Sequence, residues 1–236
     1  MVFVNSKVKT VTKNNVSFKV SDSDIFRVGD SYDFWEQYHY WEENTFKIFD
    51  KFLNKNKSFL DIGAWIGATG IYASYKCKQV VCVEPDPVAY EFLLENISLN
   101  NITNITSYNK ALSYDYDIFL SEVNFLGSSM TRCSRKDSGM RVDCTNLDNL
   151  LLEEDFCLIK MDIEGYESEC IPHMTDVLKI NKIPLYISFH ESFFSNNNIK
   201  VKDLILMLDF YDNIVDDNLD QIDINNINGF GSYLFF

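Results

Sequence analysis

The sequence predicts a doubly wound α/β fold, in which a mostly parallel seven-stranded sheet carries helices on both faces. Short apolar runs alternate with helical patterns along most of the 236 residues, as in parallel strands that are buried on both faces. One run is followed by a glycine-rich turn, a helix, a second run and an acid, the order of a nucleoside-binding strand pair. The length and the 46% hydrophobic content favour one domain, residues 1–236.

An extension of residues 1–57 precedes the sheet and is expected to pack on it. Residues 3–20 alternate weakly around an N-N pair, which predicts a β-hairpin. Residues 32–41 are dense in aromatic side chains, and residues 45–53 form an amphipathic helix. We interpret the aromatic stretch as core packing. The alternative is a wall or lid against a sugar or a ring, to which Trp41 would belong.

The first two main strands enclose the motif on which the functional prediction depends. Residues 59–62 indicate a buried strand that stops at Gly63, and Gly67 then opens a helical pattern. Residues 80–83 indicate the second strand, which ends at Glu84. Glycines let the backbone approach a ligand closely, and an acid at the second strand end binds ribose hydroxyls. The sequence therefore predicts a nucleoside site.

The acid before the first glycine indicates the kind of ligand. Asp61 precedes Gly63 in D-I-G-A-W-I-G, whereas a dinucleotide site prefers G-x-G-x-x-G and bare N–H groups for its pyrophosphate. A carboxylate suits a cationic, amine-bearing ligand, and S-adenosylmethionine (SAM) has a sulfonium, an ammonium and a ribose. We therefore predict SAM as the cofactor, with Asp61 near its ammonium, directly or through water. An NAD site and an ordinary βαβ unit with packing glycines are the alternatives.

Three motifs resemble the FkbM family of SAM-dependent methyltransferases: D-I-G-A-W-I-G, V-E-P-D-P and I-K-M-D-I-E-G-Y-E. The resemblance spans about residues 59–191 and implies a class I methyltransferase (Rossmann-like) sheet. It places the adenine at the end of a third strand, residues 102–108, and brings Glu42, an acid after an aromatic residue, toward the methionine end. The predicted cofactor contacts are Asp61, Gly63, Gly67, Glu84, Pro85, Asp86, Asn109, Lys110, Ala111 and Asp162.

Residues 114–144 interrupt the alternation of helices and strands. Residues 117–120 and 140–144 look like strands, and the turn between them contains the S-S pair that the family often carries here, beginning at Ser128. The densest basic cluster of the chain lies in the same region: Arg132, Arg135, Lys136 and Arg141. We interpret it as a solvated face. The alternative is a substrate loop whose cations, Arg132 among them, meet a phosphate such as that of a nucleotide sugar.

The last four predicted strands, residues 156–161, 183–189, 211–215 and 233–236, supply the candidate catalytic groups. Asp162 and His190 end strands that should be parallel neighbours, so both face the crevice at the carboxyl ends of the sheet. An alcohol that accepts a methyl group must lose its proton, and His190 is the preferred base. Asp162 could orient His190, bind the ligand's amine, or be the base itself. The alternative is that His190 only caps the strand end and takes no part in catalysis.

Glu164 adds a third donor to this pair and is also a candidate for contact with the substrate. It shares side-chain parity with Asp162 if the strand continues, so Asp162, Glu164 and His190 could hold a divalent metal ion. We do not favour metal dependence, because three such groups near a strand edge occur without any ion.

Composition limits the class of partner. The formal net charge is −14, which argues against a nucleic-acid binder and against an anionic membrane surface. No apolar run is long enough to span a membrane, and no signal-peptide core precedes the fold. The six cysteines form no C-x-x-C pair, which favours reduced thiols in a cytoplasmic protein.

The combined prediction is SAM-dependent O-methylation of a sugar hydroxyl, in a glycan or a nucleotide sugar. The acceptor class follows from the family resemblance together with the acidic and aromatic character of the chain. The alternatives are O-methylation of another small metabolite and a nonenzymatic protein of the same fold that binds a partner through the aromatic extension.

Overall fold

The computed structural model describes residues 7–22, 34–121, 126–135, 139–152, 154–227 and 229–236. The strands in chain order are β1 (Lys7–Lys13), β2 (Val16–Asp22), β3 (Ser58–Ile62), β4 (Val80–Val83), β5 (Ile105–Tyr108), β6 (Ala111–Leu112), β7 (Ile118–Ser121), β8 (Cys133–Ser134), β9 (Gly139–Val142), β10 (Cys144–Thr145), β11 (Phe156–Met161), β12 (Leu185–His190), β13 (Ile214–Asp216) and β14 (Phe230–Phe235). The α-helices are α1 (Phe34–Gln37), α2 (Glu43–Phe52), α3 (Gly70–Ser74), α4 (Pro87–Leu99), α5 (Leu147–Leu151), α6 (Glu167–Asn181) and α7 (Val201–Leu206).

The central sheet has seven strands within the described residues, in the order β13-β14-β12-β11-β3-β4-β5. β14 runs antiparallel to both of its neighbours, and the other pairs in this sheet are parallel. The chain leaves β3 toward β5 on one side and later continues from β11 on the other side. The carboxyl end of β3 is therefore the switch point at which open α/β sheets bind ligands.

One hydrophobic layer lies on each face of the sheet, because the strands present apolar side chains on both sides. One layer includes α6 and α7. The other contains the hairpin β1–β2 together with α2 and α3. The phenylalanines of α2 reach the sheet, and the ring of Phe49 contacts that of Phe59 edge-on at a centroid distance of 5.0 Å. The extension thus packs on the face that carries the side chains of Asp61 and Lys160.

The N-terminal hairpin forms as the sequence predicts, with Asn14 at φ 50° in its turn. Trp35 and Tyr38 of the aromatic stretch are buried, which supports core packing for that part of it. Tyr32 lies outside the described residues. Among the described helices, none is both long and apolar enough to cross a membrane.

Two of the predicted strands are shorter than expected. β5 begins at Ile105, because the chain bends at Asn104, whose side-chain amide donates to the carbonyl of Ser74 at 2.9 Å. β13 begins at Ile214, because the N–H of Tyr211 donates to the carbonyl of Leu208 in the turn after α7. The described strands between residues 114 and 144 form a small sheet in the order β8-β7-β9, and β10 pairs with β6.

Candidate functional site

Two cavities open at the carboxyl edge of the sheet and meet at Gly63. The smaller cavity, about 40 Å³, is lined by residues that include Gly63, Trp65, Glu84, Pro85 and Ala111. The larger cavity, about 670 Å³, extends from Gly63 to the end of β12 and is bounded on its outer side by residues 40–45. This volume is typical of small-molecule sites. The smaller cavity has room for little more than ordered water.

Glu84 lies between β4 and the smaller cavity. One carboxylate oxygen accepts the N–H of Trp65 at 2.7 Å, and the other accepts the N–H of Asp86 at 2.8 Å. Burial raises the pKa of Glu84 to about 8, with a smaller contribution from the charge of Asp86, while the two N–H donors oppose the rise. Each oxygen keeps a second lone pair for a ligand hydroxyl. Glu84 therefore lines the smaller cavity with acceptor capacity to spare, and its contact with a ribose stays a prediction.

The predicted contacts of the first motif, Asp61, Gly63 and Gly67, lie in three different environments. Asp61 is fully buried and accepts the Thr69 hydroxyl at 2.7 Å, while its Oδ1 has no hydrogen-bond partner. It lies behind the walls of both cavities. Gly63 has φ 81°, and a Cβ there would lie 1.8 Å from the carbonyl oxygen of Asp162, so only glycine fits beside β11. Gly67 meets Leu93 of α4, which is a packing contact.

Asp86 has a structural position rather than one that faces a ligand. It is fully buried, and its Oδ1 caps α4 by accepting the N–H groups of Val88 and Ala89. Its Oδ2 accepts the N–H of Gly127 at 2.6 Å and the hydroxyl of Thr131 at 2.9 Å. Asp86 was predicted to contact the cofactor, but both of its carboxylate oxygens already accept hydrogen bonds from the protein. The bonds to Gly127 and Thr131 hold the loop over the smaller cavity.

The three residues predicted beside the adenine also differ from one another. Ala111 lines the smaller cavity, as does Pro85. Asn109 is exposed and donates its side-chain amide to the carbonyls of Glu84 and Pro85, so it fixes the turn that carries the acid. The ammonium of Lys110 lies 5.9 Å from the ring centroid of Tyr108. The structure thus brings one of these three residues, Ala111, to the cavity wall.

Asp162, Glu164 and His190 converge where the two cavities meet. The Nε2 atom of His190 lies 3.8 Å from Oδ1 of Asp162 and 3.8 Å from Oε2 of Glu164. Both of these carboxylate oxygens are buried without a hydrogen-bond partner. The strand does not continue to Glu164 as the parity argument assumed. β11 ends at Met161, and Glu164 reaches the cluster through a left-handed turn with φ 54°.

The three groups have ligand atoms within 4.8 Å of one another and could hold a metal ion. Acidic side chains commonly cluster without a metal ion, and positively charged side chains of the chain lie beside Asp162 and Glu164. The ammonium of Lys160 is 3.5 Å from Oδ2 of Asp162. Burial raises the pKa of Glu164 to about 7, while the charges of His190 and Arg132 oppose that rise. The cluster is thus partly neutralised within the described chain.

Glu167 orients His190 from behind, and the sequence analysis did not single it out. Its Oε1 lies 3.4 Å from Nδ1 of His190 and also accepts the N–H of Ile163. Burial by itself would lower the pKa of His190, but the hydrogen bond to Glu167 and the nearby carboxylates raise it to about 9. The imidazole therefore carries a proton at neutral pH. The available signal was a second acid, three residues after Glu164, at the start of a helix.

The larger cavity has one wall from the N-terminal extension and one from the sheet. Trp41 and Glu42 line it, and the Glu42 carboxylate accepts the Thr45 hydroxyl at 3.0 Å. Burial raises the pKa of Glu42 to about 7, and Lys160 opposes this. Lys160 and Tyr186 line the same cavity from the sheet, and the hydroxyl of Tyr186 lies 3.0 Å from that of Thr45. Both had been predicted only as strand residues, because neither ends a strand.

The predicted basic cluster is dispersed. Arg135 pairs with Asp115 at 2.7 Å and with Glu169 at 2.8 Å, and Arg141 pairs with Asp117 at 2.9 Å. The guanidinium carbon of Arg132 lies 3.2 Å from the ring centroid of Phe193, which is a cation–π contact. Lys136 lies outside the described residues. These three ion pairs favour a solvated face over a phosphate loop. Ser128 lines the smaller cavity.

Comparison with known proteins places the chain among methyltransferases. A family model described as "Methyltransferase FkbM domain" matches residues 61–215. A crystal structure of methyltransferase FkbM from Methylobacillus flagellatus KT aligns at 18% identity and TM-score 0.48, over 76% of this chain and 43% of that one. A putative methyltransferase from Streptococcus mutans, in complex with SAH, aligns at 14% identity and TM-score 0.48, over 82% of this chain and 96% of that one.

A 16S rRNA methyltransferase from T. thermophilus, in complex with AdoMet and guanosine, aligns at 9% identity and TM-score 0.50 over 97% of this chain. The chain spans half or less of the length of this protein and of the M. flagellatus protein. At this identity the likeness concerns the fold alone. Together with the strand order and the antiparallel β14, it confirms the predicted class I methyltransferase fold.

Proposed function

The chain belongs to the FkbM methyltransferase family, and from that premise we propose that it catalyses SAM-dependent O-methylation of a sugar hydroxyl. One observation carries the proposal. A buried carboxylate suited to a ribose, Glu84, and a cluster of proton-transfer groups, Asp162 and His190, lie on either side of one glycine, Gly63. A ligand that crosses Gly63 would present its reactive centre beside that cluster.

The residues fit SAM in two respects. Glu84 has free lone pairs toward the smaller cavity, and Gly63 leaves no side chain at the junction of the two cavities. Asp61 lines neither cavity, so its contact with the ammonium stays a prediction. When bound, SAM supplies a methyl group on a sulfonium that is already a good leaving group.

The chain itself must align the acceptor and remove its proton. Alignment in a fixed cavity accounts for several kcal/mol of the barrier, by order of magnitude. The sequence offered His190 or Asp162 as the base. Because the raised pKa of His190 keeps that ring protonated at neutral pH, we assign the acceptance of the hydroxyl proton to Asp162. Its Oδ1 is buried, has no hydrogen-bond partner and faces His190.

The walls of the larger cavity support a neutral polyol as the acceptor. Tyr40 and Phe230 line it and are 65% and 72% exposed, and flat apolar faces pack against sugar rings. Ser188 and Ser232 offer hydroxyls on the same wall. A polyphosphate such as RNA is disfavoured, because the cavity contains several carboxylates and the net charge is −14. A glycan or nucleotide sugar is the proposed acceptor class, and another small hydroxylated metabolite is the alternative.

The first experiment is calorimetric titration of the purified chain with S-adenosylhomocysteine, in parallel with NAD. We expect micromolar binding of the first ligand and none of the second. Glu84→Gln should weaken binding by about tenfold or more at a pH above 8, where Glu84 is ionised, because a charged hydrogen bond contributes about 1.5–3 kcal/mol. Glu91→Gln is the matched control, since Glu91 is exposed on α4. A folded protein that binds NAD, or neither ligand, would contradict the proposed cofactor.

A second measurement separates an enzyme from a nonenzymatic protein of the same fold. Transfer of a labelled methyl group from SAM is followed with a panel of sugars, nucleotide sugars and polyols. Turnover on a member of the panel, lost in Asp162→Asn, supports the proposal. Cofactor binding without transfer to any hydroxyl compound would favour the nonenzymatic alternative.

A further inference from the structure

Lys160 is a buried cation that lies next to the last residue of β11 and lines the larger cavity. Its side chain is 4% exposed, yet Lys160 is among the residues that line the cavity. Lysine is rarely buried in a sheet unless a partner is present. In the register of the sheet, Lys160 stands opposite Asp61 on one side and Tyr186 on the other, so all three side chains share one face.

The described acids satisfy this ammonium only weakly. It has three donors, but its nearest carboxylate oxygens are Oδ2 of Asp162 at 3.5 Å and Oδ1 of Asp61 at 3.9 Å. These distances are at or beyond the limit of a hydrogen bond. The same Asp61 oxygen has no hydrogen-bond partner. A buried lysine therefore retains donor capacity toward the cavity.

The cavity also contains acids close to Lys160. Glu42 lines the same space, and its charge acts on the ammonium of Lys160. Asp162 borders both cavities. A cation and acids that are presented to one cavity match a zwitterion, since an α-amino acid carries a carboxylate and an ammonium on one carbon.

The position of Lys160 along the sheet indicates which ligand would present this zwitterionic group. Gly63 and Asp162 border both cavities, so a ligand anchored at Glu84 continues over Gly63 into the part of the larger cavity that Lys160 lines. We propose that Lys160 binds the α-carboxylate of the cofactor's amino-acid end, and that Glu42 faces its ammonium. This inference rests on the proposed function, because it assigns the amino-acid subsite of the same cofactor.

Removal of the carboxylate from the ligand tests the proposal without altering the protein. The wild-type chain is titrated with S-adenosylhomocysteine and with its decarboxylated analogue, which retains the adenosine, the thioether and the amine. We expect the analogue to bind at least about tenfold more weakly, since a charge-assisted hydrogen bond contributes about 1.5–3 kcal/mol. Equal affinity for the two ligands would overturn the proposal.

The same pair of ligands is then titrated into Lys160→Met. We expect the preference for the carboxylate to disappear, while the affinity for the analogue stays close to that of the wild type. Binding of the analogue also shows that the variant is folded. A variant that keeps the full preference would overturn the proposal. Lys179→Met, at an exposed position of α6, is the matched control and should keep it.

Lys160→Arg covers the case in which Lys160→Met does not fold. It keeps the positive charge and should retain part of the preference for the carboxylate; a preference that is abolished despite the charge would contradict the assignment. The two proposals fail differently. A wild-type chain that binds neither ligand removes the proposed cofactor and the subsite with it. Binding of both ligands without discrimination removes the subsite alone.

Discussion

The Nδ1 atom of His190 lies 3.4 Å from Oε1 of Glu167, a carboxylate that is fully buried at the start of α6. This contact turns Nε2 of His190 toward Asp162 and Glu164, 3.8 Å from each. The ring is also stacked parallel to Phe193, at a centroid distance of 6.0 Å. The imidazole is therefore held at Nδ1 by the Glu167 carboxylate and on its face by the Phe193 ring. These two contacts fix the direction of Nε2.

Glu167→Gln should lower the pKa of His190. Glutamine keeps an acceptor near Nδ1 but loses the negative charge that stabilises the imidazolium. NMR titration of the imidazole protons should give about 9 in the wild type and a value closer to 6.5 in the variant. His190→Gln assigns the signal, and Glu169→Gln on the same helix is the control. An unchanged titration would show that Glu167 does not set the protonation of His190.

The raised pKa of His190 also makes the free energy of unfolding depend on pH. Because the pKa in the folded state lies above the ordinary 6.5, the stabilisation from His190 is complete below pH 6.5 and is lost as the pH rises through about 9. The free energy of unfolding of the wild type should therefore fall relative to that of His190→Gln across this interval, as measured by urea denaturation at several pH values. A difference that grows with pH would have the wrong sign for this assignment.

The pH dependence of turnover distinguishes the two candidate bases. If His190 accepted the proton, kcat would rise with pH until the ring is neutral, at about 9. With Asp162 as the base we expect kcat to change little between pH 7 and 9. Asp162→Asn should lower kcat by about 100-fold or more, and His190→Gln should lower it less. A tenfold rise per pH unit in the wild type, absent in His190→Gln, would return the role of base to His190.

Turnover should survive removal of divalent metal ions. Positive charge from Lys160, 3.5 Å from Asp162, and from His190 already balances part of the carboxylate charge at the cluster. The measurement is methyl transfer after dialysis against EDTA, with Mg²⁺ or Mn²⁺ added back. Loss of activity that Mn²⁺ restores in the wild type but not in Glu164→Gln would instead make Asp162, Glu164 and His190 a metal site.

Lys13→Met should loosen the outer wall of the larger cavity. The Lys13 ammonium is buried and donates to the carbonyls of His39 and Trp41 at 3.0 and 2.5 Å, which fixes the segment leading to Glu42. We expect a loss of stability of about 1–3 kcal/mol and a higher KM for the acceptor. Lys19→Met, an exposed position on the same hairpin, is the control. A fully stable variant with an unchanged KM would show that the hairpin does not support this wall.

The sequence by itself determined the sheet and the strand ends that carry the proposed site residues. β3, β4, β11 and most of β12 are short apolar runs, and such runs predict buried parallel strands whatever lies elsewhere in the chain. A polar residue directly after such a strand must lie at the sheet edge, which placed Glu84, Asp162 and His190 at the cavities. Gly63 was predicted for a ligand, and its closest constraint is the carbonyl of Asp162 on the adjacent strand.

The tertiary structure alone decided the partners of these groups. Glu167 and Lys160 reach the site from a helix and from the interior of a strand, positions that local pattern assigns to packing. Asp86 is occupied by Gly127 and Thr131, more than forty residues away in the chain by the printed numbering. The physical reason is that apolar periodicity is a local property, whereas hydrogen bonds and charge pairs depend on the lateral order of strands and on the loops folded over them.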